Sequence, residues 1–336
     1  MKAVLALRAL PSQHPESLVD AEIPEPVPSG RDLRVAVRAI SVNPVDTKIR
    51  AGLAPDSTPR LLGWDAAGVV EAVGPEATLF RPGDRVWYAG DLTRPGSYAE
   101  KQLVDERIVG AMPNSLEFAH AAALPLTAIT AWELLFDRLA LTRGAHEGES
   151  LLVVGAAGGV GSILLQMARR LTGLRVIGTA SRPETREWAL KMGAHHVIDH
   201  AHPMAGQLTD IGLGEVDHVI SLTHTDSHLD QLVGLLRPQG KLALIDDPVR
   251  LDATKLKRKS QSLHWEFMFT RPMFRTGDMT AQHTLLCEVA RLVDEGVLAS
   301  TATRHAGPVT AANLRAVHAE LESGRTRGKI VLEGFA

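Results

Sequence analysis

Gly155, Ala156, Ala157, Gly158, Gly159, Val160 and Gly161 follow directly on the apolar run Leu151-Leu152-Val153-Val154. They open a helical pattern with apolar residues at Val160, Ile163, Leu164, Met167, Ala168 and Leu171. A strand, a glycine-rich turn and an amphipathic helix in that order build a phosphate site. Glycine lets backbone N–H groups close on a dinucleotide's pyrophosphate, and the unpaired N–H groups of the helix's first turn hold its charge. The first glycine of the usual G-x-G-x-x-G is replaced, the run reading Ala156-x-Gly158-x-x-Gly161. A tight turn without a ligand is the alternative.

The nucleotide is read about 20 residues further on. There the next strand pattern, Arg175 to Ala180, ends in Ser181-Arg182 with Arg186 one turn later, where an NAD site carries Asp or Glu. A hydroxyl and two guanidinium groups suit a 2′-phosphate that a carboxylate repels, so NADPH is the expected cofactor. The other reading leaves Arg182 and Arg186 as solvated charges and gives the ribose hydroxyls to Glu184.

These residues need a scaffold, and 336 residues with 45% hydrophobic content are enough for two packed domains. A net charge of −3 with mixed signs gives no footprint for nucleic acid or a membrane surface. The opening Met1–Leu7 is too short in its apolar run for a signal peptide or spanning helix and alternates like a strand. Cys287 is the only cysteine, which rules out an internal disulfide and a thiolate zinc cage and fits a reducing cytoplasm.

Residues 1–124 show short strands punctuated by Pro and Gly, as in Arg81-Pro82-Gly83-Asp84-Arg85-Val86-Trp87, and predict a partly open β barrel. Residues 125–267 have βαβ texture, with strands expected at 151–154, 175–179, 196–198, 216–221, 240–245 and 261–267. Helices are expected at Glu184–Met192 and at Asp226–Leu236, the latter ended by Pro238. That makes an α/β, doubly wound parallel sheet. Residues 268–336 carry two helices, near Ala281–Glu295 and Thr310–Glu322, and a strand, Lys329 to Leu332, that returns to the first domain.

The layout resembles the medium-chain dehydrogenase/reductase superfamily over essentially the full chain. The phrases Asn43-Pro44-Val45-Asp46, Gly68-Val69-Val70-Glu71-Ala72-Val73-Gly74, Gly83-Asp84-Arg85-Val86, the glycine run at 155–161 and Gly328-Lys329-Ile330-Val331-Leu332 carry the likeness. Within it the chain is most similar to the zinc-free NADPH:quinone oxidoreductases related to zeta-crystallin, including a subgroup labelled zinc-type alcohol dehydrogenase-like. The resemblance implies a GroES-like barrel as the catalytic domain, 1–124 with 268–336, and a Rossmann NADP-binding domain, 125–267. It also implies a homodimer paired through the edge strand at Ser260 to Phe267.

Matched by motif, the superfamily's catalytic zinc ligands Cys, His and Cys fall on Asn43, Trp64 and near Leu126, none of which binds zinc. His195, His196, His200 and His202 are read as edge and loop residues, so no metal is expected. Without a Lewis acid, oxidation of an unactivated alcohol is hard, whereas hydride addition to a quinone or enone needs hydrogen-bond donors at the developing enolate.

Lys48 matches the relay position of the alcohol dehydrogenases, so it protonates an enolate, binds a ribose hydroxyl, or is a surface lysine. Asn43 is a candidate amide donor to the substrate oxygen or a turn residue before proline, and Tyr88 a candidate hydroxyl donor or a cleft wall. Trp64 and Phe269 are candidate apolar walls of the substrate pocket. By resemblance, His200 lies near the adenosine phosphate, and Lys329 or the nearby Arg325 and Arg327 reach it from the last segment, with solvated basic residues as the alternative. Thr127 and Thr130 bond the nicotinamide amide or cap a helix at Ala131–Phe136.

The function expected is NADPH-dependent, zinc-independent reduction of a quinone or α,β-unsaturated carbonyl. The alternatives are an alcohol or carbonyl dehydrogenase and a low-turnover NADPH-binding structural or sensor protein.

Overall fold

A computed structural model of the chain describes residues 1–54 and 58–336. Two compact units emerge, one made of Met1–Ile129 with Phe269–Ala336 and the other of Thr130–Met268. The first division, between Ile129 and Thr130, falls within the helix Pro125–Trp132.

The second unit is built on six parallel strands in the order His196–Ile198, Arg175–Thr179, Ser150–Val154, Val216–Ser221, Leu236–Leu244 and Ser262–Trp265. Ser150–Val154 lies at the centre with every residue buried, as a strand covered by helices on both faces must be. The helix Gly159–Leu171 turns Ile163, Leu164, Met167, Ala168 and Leu171 inward, the face its 3.6-residue spacing sets. Leu152, Val154, Ile177, Val219, Leu232 and Leu242 belong to the core of this unit.

One boundary in this sheet departs from expectation. Pro238 does not end the helix: Thr225–Leu235 stops earlier, Leu236 already pairs with Val216, and Pro238 lies within the strand Leu236–Leu244. The pairing shifts register between Val216 and His218, and Gln239 adopts φ +64°, so the strand is irregular where the proline cannot donate to the ladder.

In the first unit the long strand Asp32–Ser41 organises the barrel. One side pairs with Ala66–Val73; the other pairs with Lys101–Asp105 over its first half and with the final strand Lys329–Glu333 over its second. The return of the last strand sets Lys329 close to Val42 and Asn43, and that return shapes the site. The stretch Phe118–Arg138 is apolar and long enough to cross a membrane, yet it is mostly buried inside the protein, as a core helix is.

Candidate active site

Two glycines shape the turn at the end of the strand Ser150–Val154. Gly155 has φ +80°, a left-handed backbone that side chains resist, and Gly161 lies so close to the turn that a Cβ there would come within 2.5 Å of the Ala156 carbonyl oxygen. The helix Gly159–Leu171 can therefore start directly against the strand, the approach a pyrophosphate cradle requires.

The Gly155 N–H donates to Thr179 Oγ1 at 3.3 Å, and the same hydroxyl is hydrogen-bonded with His200 Nδ1 at 3.2 Å. His200 is thereby fixed beside the glycine turn. Burial lowers its pKa.

Ser181 is exposed just past the strand Arg175–Thr179. Arg182 precedes the helix Pro183–Lys191, with its Nε 3.4 Å from Glu184. Arg186 uses two of its donors on the carbonyls of Ala180, at 3.3 Å, and Val197, at 2.9 Å, holding two strand ends together. Thr179 was not singled out by the sequence, because a buried threonine in a strand looks like any other β-former.

The first unit contains a buried ion pair that sequence reasoning missed. Lys329 is 3% exposed, and its ammonium donates to the Val42 carbonyl at 3.1 Å, to Asn43 Oδ1, and to Asp65 Oδ2 at 3.1 Å. Asp65 Oδ2 also accepts from Ser41 Oγ at 2.7 Å and Asn43 Nδ2 at 2.8 Å, while Oδ1 accepts the Leu126 N–H at 2.8 Å. Three ammonium donors meet three acceptors, the condition under which a buried pair is tolerated.

Two expectations are corrected by this geometry. Lys329 cannot reach the adenosine phosphate, because its ammonium is buried and fully engaged with Val42, Asn43 and Asp65. Asn43 does not offer its amide to a substrate oxygen, since Nδ2 already serves Asp65 and, at 3.3 Å, the Trp64 carbonyl.

A hydrogen-bonded chain leads away from Asn43. Its N–H donates to Asp46 Oδ2 at 2.9 Å, which also accepts the Tyr98 hydroxyl at 2.9 Å. Arg50 Nε donates to His318 Nδ1 at 3.2 Å, so His318 carries its proton on Nε2, 3.0 Å from the Tyr98 oxygen. Arg50 continues to Glu322.

Burial raises the Asp46 carboxyl to about 7. Burial, with the Arg50 charge beside it, lowers His318 to about 3. Asp46 does have a sequence signal, since Asn43-Pro44-Val45-Asp46 spaces a capping box at the start of the helix Pro44–Ala51. Tyr98 and His318, 220 residues apart, have none.

The remaining sequence candidates divide by exposure. Lys48 is exposed near the end of the helix Pro44–Ala51. Tyr88 is buried and its hydroxyl has no hydrogen-bond partner among the described residues; burial raises its pKa, so it stays protonated and able to donate. Trp64 and Phe269 meet edge to face at 6.4 Å, both buried.

Thr127 and Thr130 lie inside the helix Pro125–Trp132 rather than at the start of one at 131–136. The Thr127 hydroxyl donates to the Leu124 carbonyl at 3.0 Å. At the three positions matched to zinc ligands, Asn43 is engaged as above, the Trp64 indole N–H donates to the Asp91 carbonyl at 3.2 Å, and the Leu126 N–H donates to Asp65 Oδ1. The Asn43 amide oxygen already faces the Lys329 ammonium, and an indole and an alkyl chain carry no ligating atom, so the three do not make a zinc site.

Residues 29–114 match the alcohol dehydrogenase GroES-like domain family and residues 192–332 the zinc-binding dehydrogenase family. A zinc-type alcohol dehydrogenase-like protein of Staphylococcus aureus (strain COL) is 42% identical over 92% of each chain. A structure from Rhizobium etli CFN 42, provisionally described as a zinc-dependent alcohol dehydrogenase, superposes with a TM-score of 0.96 at 54% identity over 100% of this chain and 98% of that one. An Escherichia coli quinone oxidoreductase complexed with NADPH superposes with a TM-score of 0.84 at 26% identity over 99% and 100%. With a GroES-like barrel, a Rossmann-type parallel sheet and relatives spanning nearly its whole length, the chain belongs to the medium-chain dehydrogenase/reductase superfamily of oxidoreductases.

Proposed function

We propose that the protein is an NADPH-dependent oxidoreductase that reduces quinones or α,β-unsaturated carbonyls without zinc. The observation that carries this reading is the donor set at the matched ligand positions: an amide already engaged at both ends, an indole and an alkyl chain. These residues do not fit zinc. Lowering a hydroxyl's pKa for alcohol oxidation then has no agent at this site, whereas reduction of an activated C=C or quinone needs none.

The similarity to a quinone oxidoreductase in complex with NADPH supports the cofactor assignment, as does the Gly155–Gly161 cradle. When bound, the nicotinamide supplies a hydride to the electrophilic carbon. Ser181, Arg182 and Arg186 hold the 2′-phosphate, and His200 lies beside the adenosine. Lys48 supplies a proton to the developing enolate, and the unpartnered Tyr88 hydroxyl is a donor for its oxygen. Trp64 and Phe269 wall the substrate, and Thr127 and Thr130 face the nicotinamide amide.

The chain assembles as a dimer through the edge at Ser260 to Phe267, whose strand Ser262–Trp265 ends the sheet order and along which Trp265 and Phe267 are exposed. Loss of NADPH absorbance over a panel of quinones, enones and simple alcohols or ketones tests the reading. Turnover with the first two classes is expected. Turnover confined to simple alcohols and ketones contradicts it.

A further inference from the structure

At the end of the parallel sheet opposite the glycine turn, three side chains from separated parts of the sequence converge. His146 and Glu149 lie in the turn that leads into the strand Ser150–Val154, and His218 lies in the strand Val216–Ser221, in register with Leu151. Glu149 Oε2 is 3.1 Å from His146 Nδ1 and 2.9 Å from His218 Nε2, and all three donor atoms fall within 4.8 Å of one another. We propose that His146, Glu149 and His218 form a binding site for a divalent transition-metal ion, with zinc the best match.

The chemistry and the distances both favour this. Two imidazole nitrogens and one carboxylate oxygen are a donor set that zinc takes with a fourth position left to water. Zinc bonds of roughly 2.0–2.2 Å in a tetrahedron place neighbouring donors about 3.3 Å apart. The two Glu149 distances are already close to that edge length.

His146 holds a left-handed backbone, φ +73°, which a histidine adopts at a cost, and this backbone accompanies the meeting of its Nδ1 with Glu149. His218 is 4% exposed; its Nε2–H donates to Glu149 Oε2 at 2.9 Å, the proton an ion would displace, and its Nδ1 is buried without a partner among the described residues.

The proton balance closes within the cluster. Each imidazole stays neutral by moving its proton from the ligating nitrogen to the other one. For His218 that is the unpartnered Nδ1. For His146 it is Nε2, which now accepts the Thr142 N–H at 2.9 Å, so that bond is given up when the ion binds. Glu149 is partly exposed and gives the ion a way in. The site is independent of the reaction proposed above and involves none of its residues.

Titration of the chelator-stripped, full-length protein with zinc chloride in a calorimeter tests the proposal. One ion per chain is expected, with micromolar or tighter affinity, and Co2+ in its place should show the absorption of a four-coordinate nitrogen and oxygen site. Glu149→Gln and His146→Asn should each weaken binding at least roughly tenfold and leave NADPH oxidation unchanged; asparagine tolerates the left-handed backbone at 146, so the fold is kept. No saturable binding up to about 100 µM, or tight binding that survives both substitutions, would overturn the assignment.

Discussion

Lys329 and Asp65 are 264 residues apart in sequence and 3.1 Å apart in the fold, both buried, with Asn43 bonded to each. A buried pair costs desolvation on both ions, so removing one partner is far more damaging than the net value of the pair. Lys329→Met leaves the Asp65 carboxylate and Asn43 Oδ1 without their cation. Denaturant unfolding should show a loss of about 3–5 kcal/mol. A loss under about 1 kcal/mol, the level of an exposed pair, would mean that the ammonium does not hold this cluster together.

Cofactor choice is assigned to the residues after the strand Arg175–Thr179. Arg182→Glu puts a carboxylate where the 2′-phosphate is proposed to lie. The unmodified protein should bind NADPH roughly ten- to a hundredfold more tightly than NADH, the value of one or two charge-assisted bonds, and the variant should lose that preference. Equal affinity for both nucleotides before mutation would remove the assignment.

Much of the parallel-sheet unit could be read from the sequence, because its signals are local. The run Leu151–Val154, the glycines at 155–161 and the apolar spacing through Leu171 lie within about twenty residues, and the observed strand, turn and helix follow them. The buried cluster around Lys329 was not legible in the same way. The sequence reads Lys329 as a contact to the adenosine phosphate or a solvated cation, and only the pairing of Lys329–Glu333 with Asp32–Ser41 brings it to Asn43 and Asp65. Asn43 and Trp64 were noticed as departures from a zinc set, but their partners are fixed by tertiary contacts. Pro238 misled because a proline that usually ends helices here lies in an irregular strand.

Asp46 and His318 carry opposing pH dependences. The folded-state pKa of Asp46 is raised from 3.8 to about 7, so its contribution is full below pH 3.8 and is lost as pH rises through about 7. His318 is lowered from 6.5 to about 3, so its contribution is full above pH 6.5 and is lost as pH falls through about 3. Between pH 3.8 and 6.5 the two slopes oppose each other. Asp46→Asn should remove one and expose the other, so the variant's stability should rise with pH over that window more steeply than the parent's. Identical pH profiles for the two proteins would contradict the linkage.

Lys48 is the exposed cation proposed to protonate the enolate. Lys48→Met should lower enone turnover roughly 10²-fold while NADPH affinity changes little. If affinity falls and turnover survives at saturating NADPH, the residue binds the cofactor instead. No change in either would show that it is a surface lysine.

The central claim is that hydride transfer here proceeds without zinc, and the most direct measurement is NADPH oxidation with a reactive quinone or enone before and after exhaustive chelation. Performing it on the Glu149→Gln variant as well separates the reaction from the proposed metal site at His146, Glu149 and His218. Rates unchanged by chelation in both proteins are predicted. Activity that disappears with the metal and returns on adding zinc, in the variant as in the parent, would place a catalytic ion in this enzyme and contradict the account.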